Sequence, residues 1–176
     1  YTGEDGFEII THNENVVDVW NDLLAAGKPH GLKAAGLGAR DTLRTEVCYP
    51  LYGHELDDKT SPIEAGLGVF VSFEKGKFIG HDALLEQKQI GPKKRCVAFK
   101  MTDKCAPPRP GYTVWNGEEQ VGQVVSGTLS PTLNAGIGLA YVRPDLAKKD
   151  TVIQIDIRGK KFAAQVVAKP IYRKAV

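Results

Sequence analysis

The sequence predicts an α+β protein in which a mixed segment of helices and strands precedes a small antiparallel β-barrel or jelly roll. Apolar residues recur with helical spacing in the first half, whereas the second half contains six short strand-like segments separated by turn signals. The change falls at Gly91-Pro92-Lys93-Lys94, which resembles a linker. We therefore divide the chain into residues 1–91 and 92–176.

The first predicted elements are a strand and a helix. Residues 7–10 form a short apolar run after a glycine-rich turn, which indicates a strand. Residues 13–26 then show an amphipathic helical stripe, with Asn13 as a plausible N-cap and Gly27 as a stop. The stripe consists of Val16, Val17, Trp20, Leu23 and Leu24.

A second helix is predicted over residues 37–48, entered through Gly36-Leu37-Gly38. Its core face should contain Leu37, Leu43 and Val47, while Arg40 and Arg44, four positions apart, share another face. A strand over residues 68–73 and a short helix over 81–89, capped near Gly80, complete the first part.

Short strands dominate the second part. Asn116-Gly117 is a strong hairpin signal, and Arg158-Gly159 supplies another tight turn. The strands are predicted at residues 96–101, 112–115, 120–126, 136–142, 152–157 and 161–167. Regular turns between so many short strands favour a barrel or sandwich.

Composition argues against several classes of protein. The net charge of +2, from 23 basic and 21 acidic residues, is too balanced for a nucleic-acid partner. The apolar runs are far shorter than the ~20 residues of a membrane-spanning helix. Three widely spaced cysteines without a CxxC or a histidine pair support neither a disulfide framework nor a metal site, and they fit a reducing compartment.

Two residues stand out as candidates for ligand binding. A carboxylate such as that of Glu8 can accept two parallel hydrogen bonds from a planar heterocycle, and Arg40, at a helix start, suits an anionic group. On the residues alone, a structural ion pair between Glu8 and Arg40 is the favoured interpretation. Isolated histidines such as His54 and His81 are more typical of surface or capping positions, and Gly36-Leu37-Gly38 is a weak phosphate loop.

Five longer strings of residues favour ligand binding by Glu8 and Arg40 over a structural ion pair. They are YTGEDGFEI at 1–9, GLGARDTLRTEVCYPLYGHELD at 36–57, SPIEAGLG at 61–68, SGTLSPTLNAGIGLAYV at 126–142 and KPIYRK at 169–174. In this order they resemble the T-protein family of the glycine cleavage system, over nearly the whole chain. The resemblance implies a mixed α/β folate-binding domain, of which residues 1–91 are the C-terminal part, followed by a C-terminal barrel.

The family is one of aminomethyltransferases, so the resemblance implies transfer of a one-carbon unit from the aminomethyl-lipoyl H-protein to tetrahydrofolate, with release of ammonia. It places Glu8 against the pterin ring, Arg40 in the folate site, Tyr172 reaching back to that site, and Tyr1 as a ring-packing neighbour. No residue of this chain matches the family's catalytic aspartate, so we expect no catalytic residue here.

The resemblance also implies partners. They are the lipoylated H-protein, tetrahydrofolate as co-substrate, and the N-terminal half of the same protein, with no metal, nucleic acid or membrane. We expect a bacterial cytoplasmic protein, or a mitochondrial matrix protein in a eukaryote. Because the chain begins at Tyr1 without an initiator methionine, we expect a truncated or cleaved protein that is inactive alone and exposes apolar surface. A non-catalytic folate-binding module and a part of a sarcosine or dimethylglycine dehydrogenase remain the alternatives.

Overall fold

The computed structural model describes residues 1–174, in which three α-helices precede a closed six-stranded barrel. The helices are α1 (Val16–Gly27), α2 (Leu37–Glu46) and α3 (His81–Ile90). The strands are β1 (Arg95–Met101), β2 (Thr113–Asn116), β3 (Glu119–Ser130), β4 (Ala135–Val142), β5 (Val152–Ile157) and β6 (Lys160–Val167). This confirms the predicted α+β class and all six strands.

The barrel closes in the order β1-β4-β3-β2-β5-β6, and every neighbouring pair is antiparallel. Ile157 pairs with Lys160, so Arg158-Gly159 forms a two-residue turn in which both residues have positive φ, as the sequence predicts. Alternate residues of β5 are buried, because successive side chains of a strand point to opposite faces. The interior is apolar, with Phe99, Val114, Val124, Ile153, Ile155 and Val166 among its members.

Strands β1 and β4 are buried on both faces. Besides the interior, a second apolar cluster of Cys96, Ala98, Leu139 and Tyr141 lies on their outer side. Cys48, from the end of the α2 region, and Ile171, from the C-terminal segment, pack against this cluster. The outer wall of the barrel is therefore the surface on which the first part of the chain is held.

Two predicted strands of the first part are wrong. Residues 7–10 are irregular, with Phe7 98% and Ile10 96% exposed, and no strand among residues 1–174 lies beside them. A short 3-10 helix, Gly68–Phe70, replaces the strand predicted over 68–73. Strand-forming residues need a ladder partner, and the described residues supply none at either place.

Helix α1 forms where the sequence predicts it, but its cap differs. Asn13 begins a 3-10 turn, Asn13–Asn15, and Asn15 holds the N-cap position of α1. Of the apolar stripe, Leu24 is half-buried, whereas Trp20 and the other three members are exposed. The described residues thus contain nothing that covers this face.

The predicted core face of α2 is wrong at Leu37 and Leu43, which are exposed, whereas Val47, just after the helix, is half-buried. Leu37 is 84% exposed, whereas Arg44, Thr45 and Glu46 are buried. The helix turns its polar side to the barrel because the facing strand carries hydroxyl groups that those side chains can bind. Helix α3 is confirmed, and Gly80 at its N-cap has the left-handed conformation that glycine adopts without strain.

Candidate functional site

Helix α2 meets strand β3 through a row of polar contacts, which we call the polar interface. Thr42 Oγ1 lies 3.3 Å from Thr128 Oγ1, Arg44 Nη2 donates to Ser126 Oγ at 2.8 Å, and Ser130 Oγ donates to Glu46 Oε1. The three strand residues are two positions apart, so their side chains lie on one face of β3. These contacts fix α2 against the barrel and join the strings at 36–57 and 126–142 that the sequence analysis singled out.

Arg44 is the centre of the polar interface. Its Nη1 donates to Glu55 Oε2 at 3.0 Å, and the two side chains are 1% and 2% exposed. Its Nε donates to Asp41 Oδ1 at 2.7 Å, and Nη1 lies 3.4 Å from the carbonyl oxygen of Tyr49. A buried charge is tolerated only when paired and hydrogen-bonded, and Arg44 meets both conditions.

A cleft of about 620 Å³ opens at the N-terminal end of α2, and we call it the α2 cleft. Its lining includes Tyr1, Phe7, Glu8, Leu37, Arg40 and Leu43. The guanidinium carbon of Arg40 lies 4.5 Å from the centre of the Tyr1 ring, and Tyr1 Oη donates to the carbonyl oxygen of Pro50 at 2.7 Å. Three of the four site residues predicted from the sequence thus share one cleft.

The Tyr1 ring is held on two sides. Arg40 lies over one face, and the Tyr49 ring is 6.1 Å away at a tilt of 34°. Burial raises the pKa of Tyr1, while the nearby guanidinium groups of Arg44 and Arg40 oppose the shift. The phenol therefore stays protonated at neutral pH and remains a hydrogen-bond donor.

Glu8 is exposed and lines the same cleft without pairing to Arg40. Among residues 1–174, Arg40 is in no ion pair within 4.0 Å, so the structural ion pair favoured by the residues alone is wrong. Asp41, the neighbour of Arg40 in the chain, binds Arg44. The carboxylate of Glu8 and the guanidinium of Arg40 are both available to a ligand.

Tyr172 lies in an adjoining cleft of about 480 Å³, which is also lined by Glu46 and Arg173. The backbone N–H of Tyr172 donates to the carbonyl oxygen of Glu46 at 3.0 Å. Thr2, Glu4 and Leu43 line both clefts. The C-terminal segment therefore reaches the end of α2, but Tyr172 is not part of the α2 cleft itself.

The chain around Glu4 joins the two clefts. Lys174 Nζ lies 2.7 Å from Glu4 Oε2. Gly3 has a φ of +74° and packs so closely on Val47 that a Cβ atom would overlap its side chain. Glycine is therefore required for the segment 1–6 to lie against the end of α2.

The side chains that line the α2 cleft are suited to binding a ligand rather than to catalysis. It combines a carboxylate, a guanidinium and aromatic or aliphatic walls, which suits a planar, hydrogen-bonding ligand with an anionic group. Within residues 1–174 no cluster of three histidine, cysteine or acidic side chains has a metal-binding arrangement. None of the helices described is long and apolar enough to cross a membrane.

His54 is a structural residue in this arrangement. It is half-buried, and its Nδ1 donates to the carbonyl oxygen of Val125 at 2.8 Å. His81 contacts Asp82 at 2.7 Å.

The sequence does not predict the ion pair between Arg44 and Glu55. Two features of the sequence relate to it, the four-residue spacing of Arg40 and Arg44 and the position of Glu55 in a polar loop. Neither feature predicts that the two side chains are buried.

Comparison with known proteins matches both parts of the chain. Residues 1–75 match the family model of the GCVT N-terminal domain, and residues 94–173 match that of the glycine cleavage T-protein C-terminal barrel domain. An aminomethyltransferase of Caldanaerobacter subterraneus is 51% identical over 174 residues, covering 99% of this chain and 46% of the relative. One of Bacillus pumilus is 48% identical, covering 99% and 48%.

A solved structure agrees with these relatives. The glycine cleavage system aminomethyltransferase T from Bartonella henselae superposes with a TM-score of 0.89 at 33% identity, covering 98% of this chain and 48% of that one. The chain thus spans about half the length of the relatives it matches. With both parts matched in order and the fold shared, the chain belongs to the glycine cleavage T-protein family.

Proposed function

We propose that this chain is the tetrahydrofolate-holding part of an aminomethyltransferase. The whole protein would move a one-carbon unit from the aminomethyl-lipoyl arm of the H-protein to tetrahydrofolate and release ammonia. The observation that carries the proposal is the convergence of Tyr1, Glu8 and Arg40 on the α2 cleft in a member of this family.

The residues present fit a folate. Glu8 offers a carboxylate to the amino-pyrimidine edge of the pterin, and the Tyr1 ring offers a wall to an aromatic face. Arg40 supplies positive charge for the anionic part of the ligand. Tyr172 lines the adjoining cleft, from which the C-terminal segment reaches the end of α2. Tetrahydrofolate itself would supply the nitrogen atoms that accept the one-carbon unit.

These residues bind and orient rather than react. No residue of this chain matches the catalytic aspartate that the family resemblance implies. Holding two reactants in the correct geometry is itself a large part of the rate enhancement in a transfer reaction. We therefore assign the general base to the part of the protein outside this chain.

Partners follow from the same proposal. Most apolar side chains of α1 and those of residues 7–10 lie exposed, which is the surface expected where the remaining lobe packs. The lipoylated H-protein delivers the aminomethyl group. By this reasoning the isolated chain binds folate weakly, because a cleft open on one side leaves the ligand in water.

The test uses the full-length protein and follows ammonia release from aminomethyl-loaded H-protein with tetrahydrofolate as the varied substrate. Arg40→Ala and Glu8→Gln should each raise the KM for tetrahydrofolate about tenfold or more, since a charge-assisted hydrogen bond is worth about 1.5–3 kcal/mol. Arg143→Ala and Glu118→Gln, which change exposed charges on the barrel, are the matched controls.

The outcomes separate the candidate functions. Absence of tetrahydrofolate-dependent ammonia release would refute the transferase. Folate binding that is lost with Arg40→Ala, without any transfer, would instead identify a non-catalytic folate-binding module. One-carbon transfer from sarcosine or dimethylglycine rather than from the H-protein would place the chain with those dehydrogenases.

A further inference from the structure

We propose that Arg44 is a positioning residue that holds Arg40 and Tyr1 in place across the α2 cleft. The inference rests on the proposed function, because it concerns the residues assigned to folate. Arg44 does not touch the α2 cleft. It lies beneath it, 1% exposed, and acts through two sets of contacts.

The first set runs through the loop after α2. Arg44 Nη1 binds the carbonyl oxygen of Tyr49 at 3.4 Å and Glu55 Oε2 at 3.0 Å, and the same Glu55 oxygen accepts the backbone N–H of Leu51 at 3.0 Å. The loop is thus fixed on both sides of Pro50. The carbonyl oxygen of Pro50 accepts the hydrogen bond from Tyr1 Oη at 2.7 Å.

The second set runs along the helix itself. Arg40 precedes Arg44 by four residues, which is about one turn, so the two lie one above the other. Arg44 binds Asp41 next to Arg40 and is tied to the barrel through Ser126 at 2.8 Å. The last turn of α2 therefore cannot rotate or slide on β3 without breaking a buried charged contact.

The two sets meet in the α2 cleft. Tyr1 is oriented by the loop, Arg40 by the helix, and the 4.5 Å stacking between them requires both. A cavity of about 240 Å³ lined by Tyr1, Arg40, Asp41 and Arg44 lies at this meeting point. Displacement of Arg44 thus changes the separation of the two proposed ligand-binding groups without removing either one.

Only an arginine can make these contacts together. Its planar group presents five N–H donors in a fixed fork, whereas a lysine has one nitrogen with three donors on a flexible stem. Arg44 uses Nε, Nη1 and Nη2 for four different acceptors. Arg44→Lys keeps the charge opposite Glu55 but loses the simultaneous hold on loop, helix and barrel.

The test is a double-mutant cycle in the full-length protein, with the KM for tetrahydrofolate and kcat measured separately. Arg44→Lys should raise the KM about tenfold and change kcat much less, because it disturbs binding groups. In the Arg40→Ala background, the effect of Arg44→Lys should shrink to about twofold, since the group that it positions is gone.

Two controls separate positioning from stability. Ile153→Val weakens the barrel interior far from the α2 cleft, so it lowers Tm without changing the KM. Arg143→Lys repeats the same chemical change at an exposed, ion-paired arginine. If Arg44→Lys does not fold, Ser126→Ala removes one of its contacts and should raise the KM about two- to threefold.

The outcomes are distinct. Equal effects of Arg44→Lys in the two backgrounds would overturn the positioning role, as would a KM that stays unchanged in both Arg44→Lys and Ser126→Ala. An unchanged KM in Arg40→Ala alone would refute the folate site itself. An increase with Arg40→Ala and a non-additive increase with Arg44→Lys would support both.

Discussion

Removing one member of the buried Arg44–Glu55 ion pair should lower the free energy of unfolding more than replacing both members with apolar residues. At the observed separation of 3.0 Å, the attraction is about 5.5 kcal/mol at an effective dielectric constant of 20. Glu55→Leu removes it and leaves Arg44, 1% exposed, with only the half-exposed Asp41 as its counter-charge. We expect a loss of about 3 kcal/mol in the free energy of unfolding, at the low end of values for buried pairs because Asp41 remains.

The double variant Arg44→Met/Glu55→Leu should lose less than Glu55→Leu alone. It removes the stranded charge together with its partner, and an apolar pair of similar volume avoids the cost of desolvating either group. Part of the loss remains, since Ser126 Oγ and the backbone N–H of Leu51 lose their partners.

Urea unfolding followed by tryptophan fluorescence measures these differences, because Trp115 lies in β2 and reports on the barrel. The relevant quantity is the coupling energy between the two positions, with Arg143→Met as a control at an exposed ion pair. The loss in the free energy of unfolding of the double variant could equal the sum of the losses of Arg44→Met and Glu55→Leu. That result would refute the interpretation that each buried charge is tolerated only because of the other.

Two further predictions concern the barrel and the cysteine beside it. Gly122→Ala should destabilise the protein by about 2–3 kcal/mol in the same assay, because its Cβ would overlap the backbone carbonyl oxygen of Tyr141, whereas Gly38→Ala, in an open part of α2, should be neutral or stabilising by up to about 1 kcal/mol. Burial raises the pKa of Cys48 from 9.0 to about 11, so at pH 8 its thiolate fraction should be about 100-fold lower than in the unfolded chain. Iodoacetamide should accordingly label Cys48 far more slowly in the folded protein than in urea, and equal labelling rates would contradict the burial of this thiol. The contribution of the protonated Cys48 thiol to the free energy of unfolding is present below pH 9 and is lost as the pH rises towards 11.

The sequence determined the barrel because its signals are local. The six short strands and the turn at Arg158-Gly159 depend on neighbours in the chain, and the structure has both as predicted. Helix α1 follows from local periodicity in the same way, and α3 begins at the glycine cap that the sequence predicts. The strands predicted at residues 7–10 and 68–73 are wrong because a strand needs a hydrogen-bonding partner that the local sequence does not contain.

The gathering of Tyr1, Glu8 and Arg40 in one cleft agrees with what the family resemblance implies about their common role, whereas their ligand stays a prediction. Residue types alone favoured an ion pair between Glu8 and Arg40, and only the fold shows Arg40 over the Tyr1 ring instead. A prediction that considers only Glu8 and Arg40 is wrong because it does not include Tyr1, the residue that Arg40 contacts.

The orientation of α2 was decided only by tertiary structure. Hydrophobic periodicity places Leu37 and Leu43 inward, and it would be right against an apolar surface. The surface that α2 meets is the hydroxyl-bearing face of β3, with Ser126, Thr128 and Ser130, more than eighty residues away along the chain. Arg44 is buried because that distant strand supplies its partners, and no pattern local to the helix contains this information.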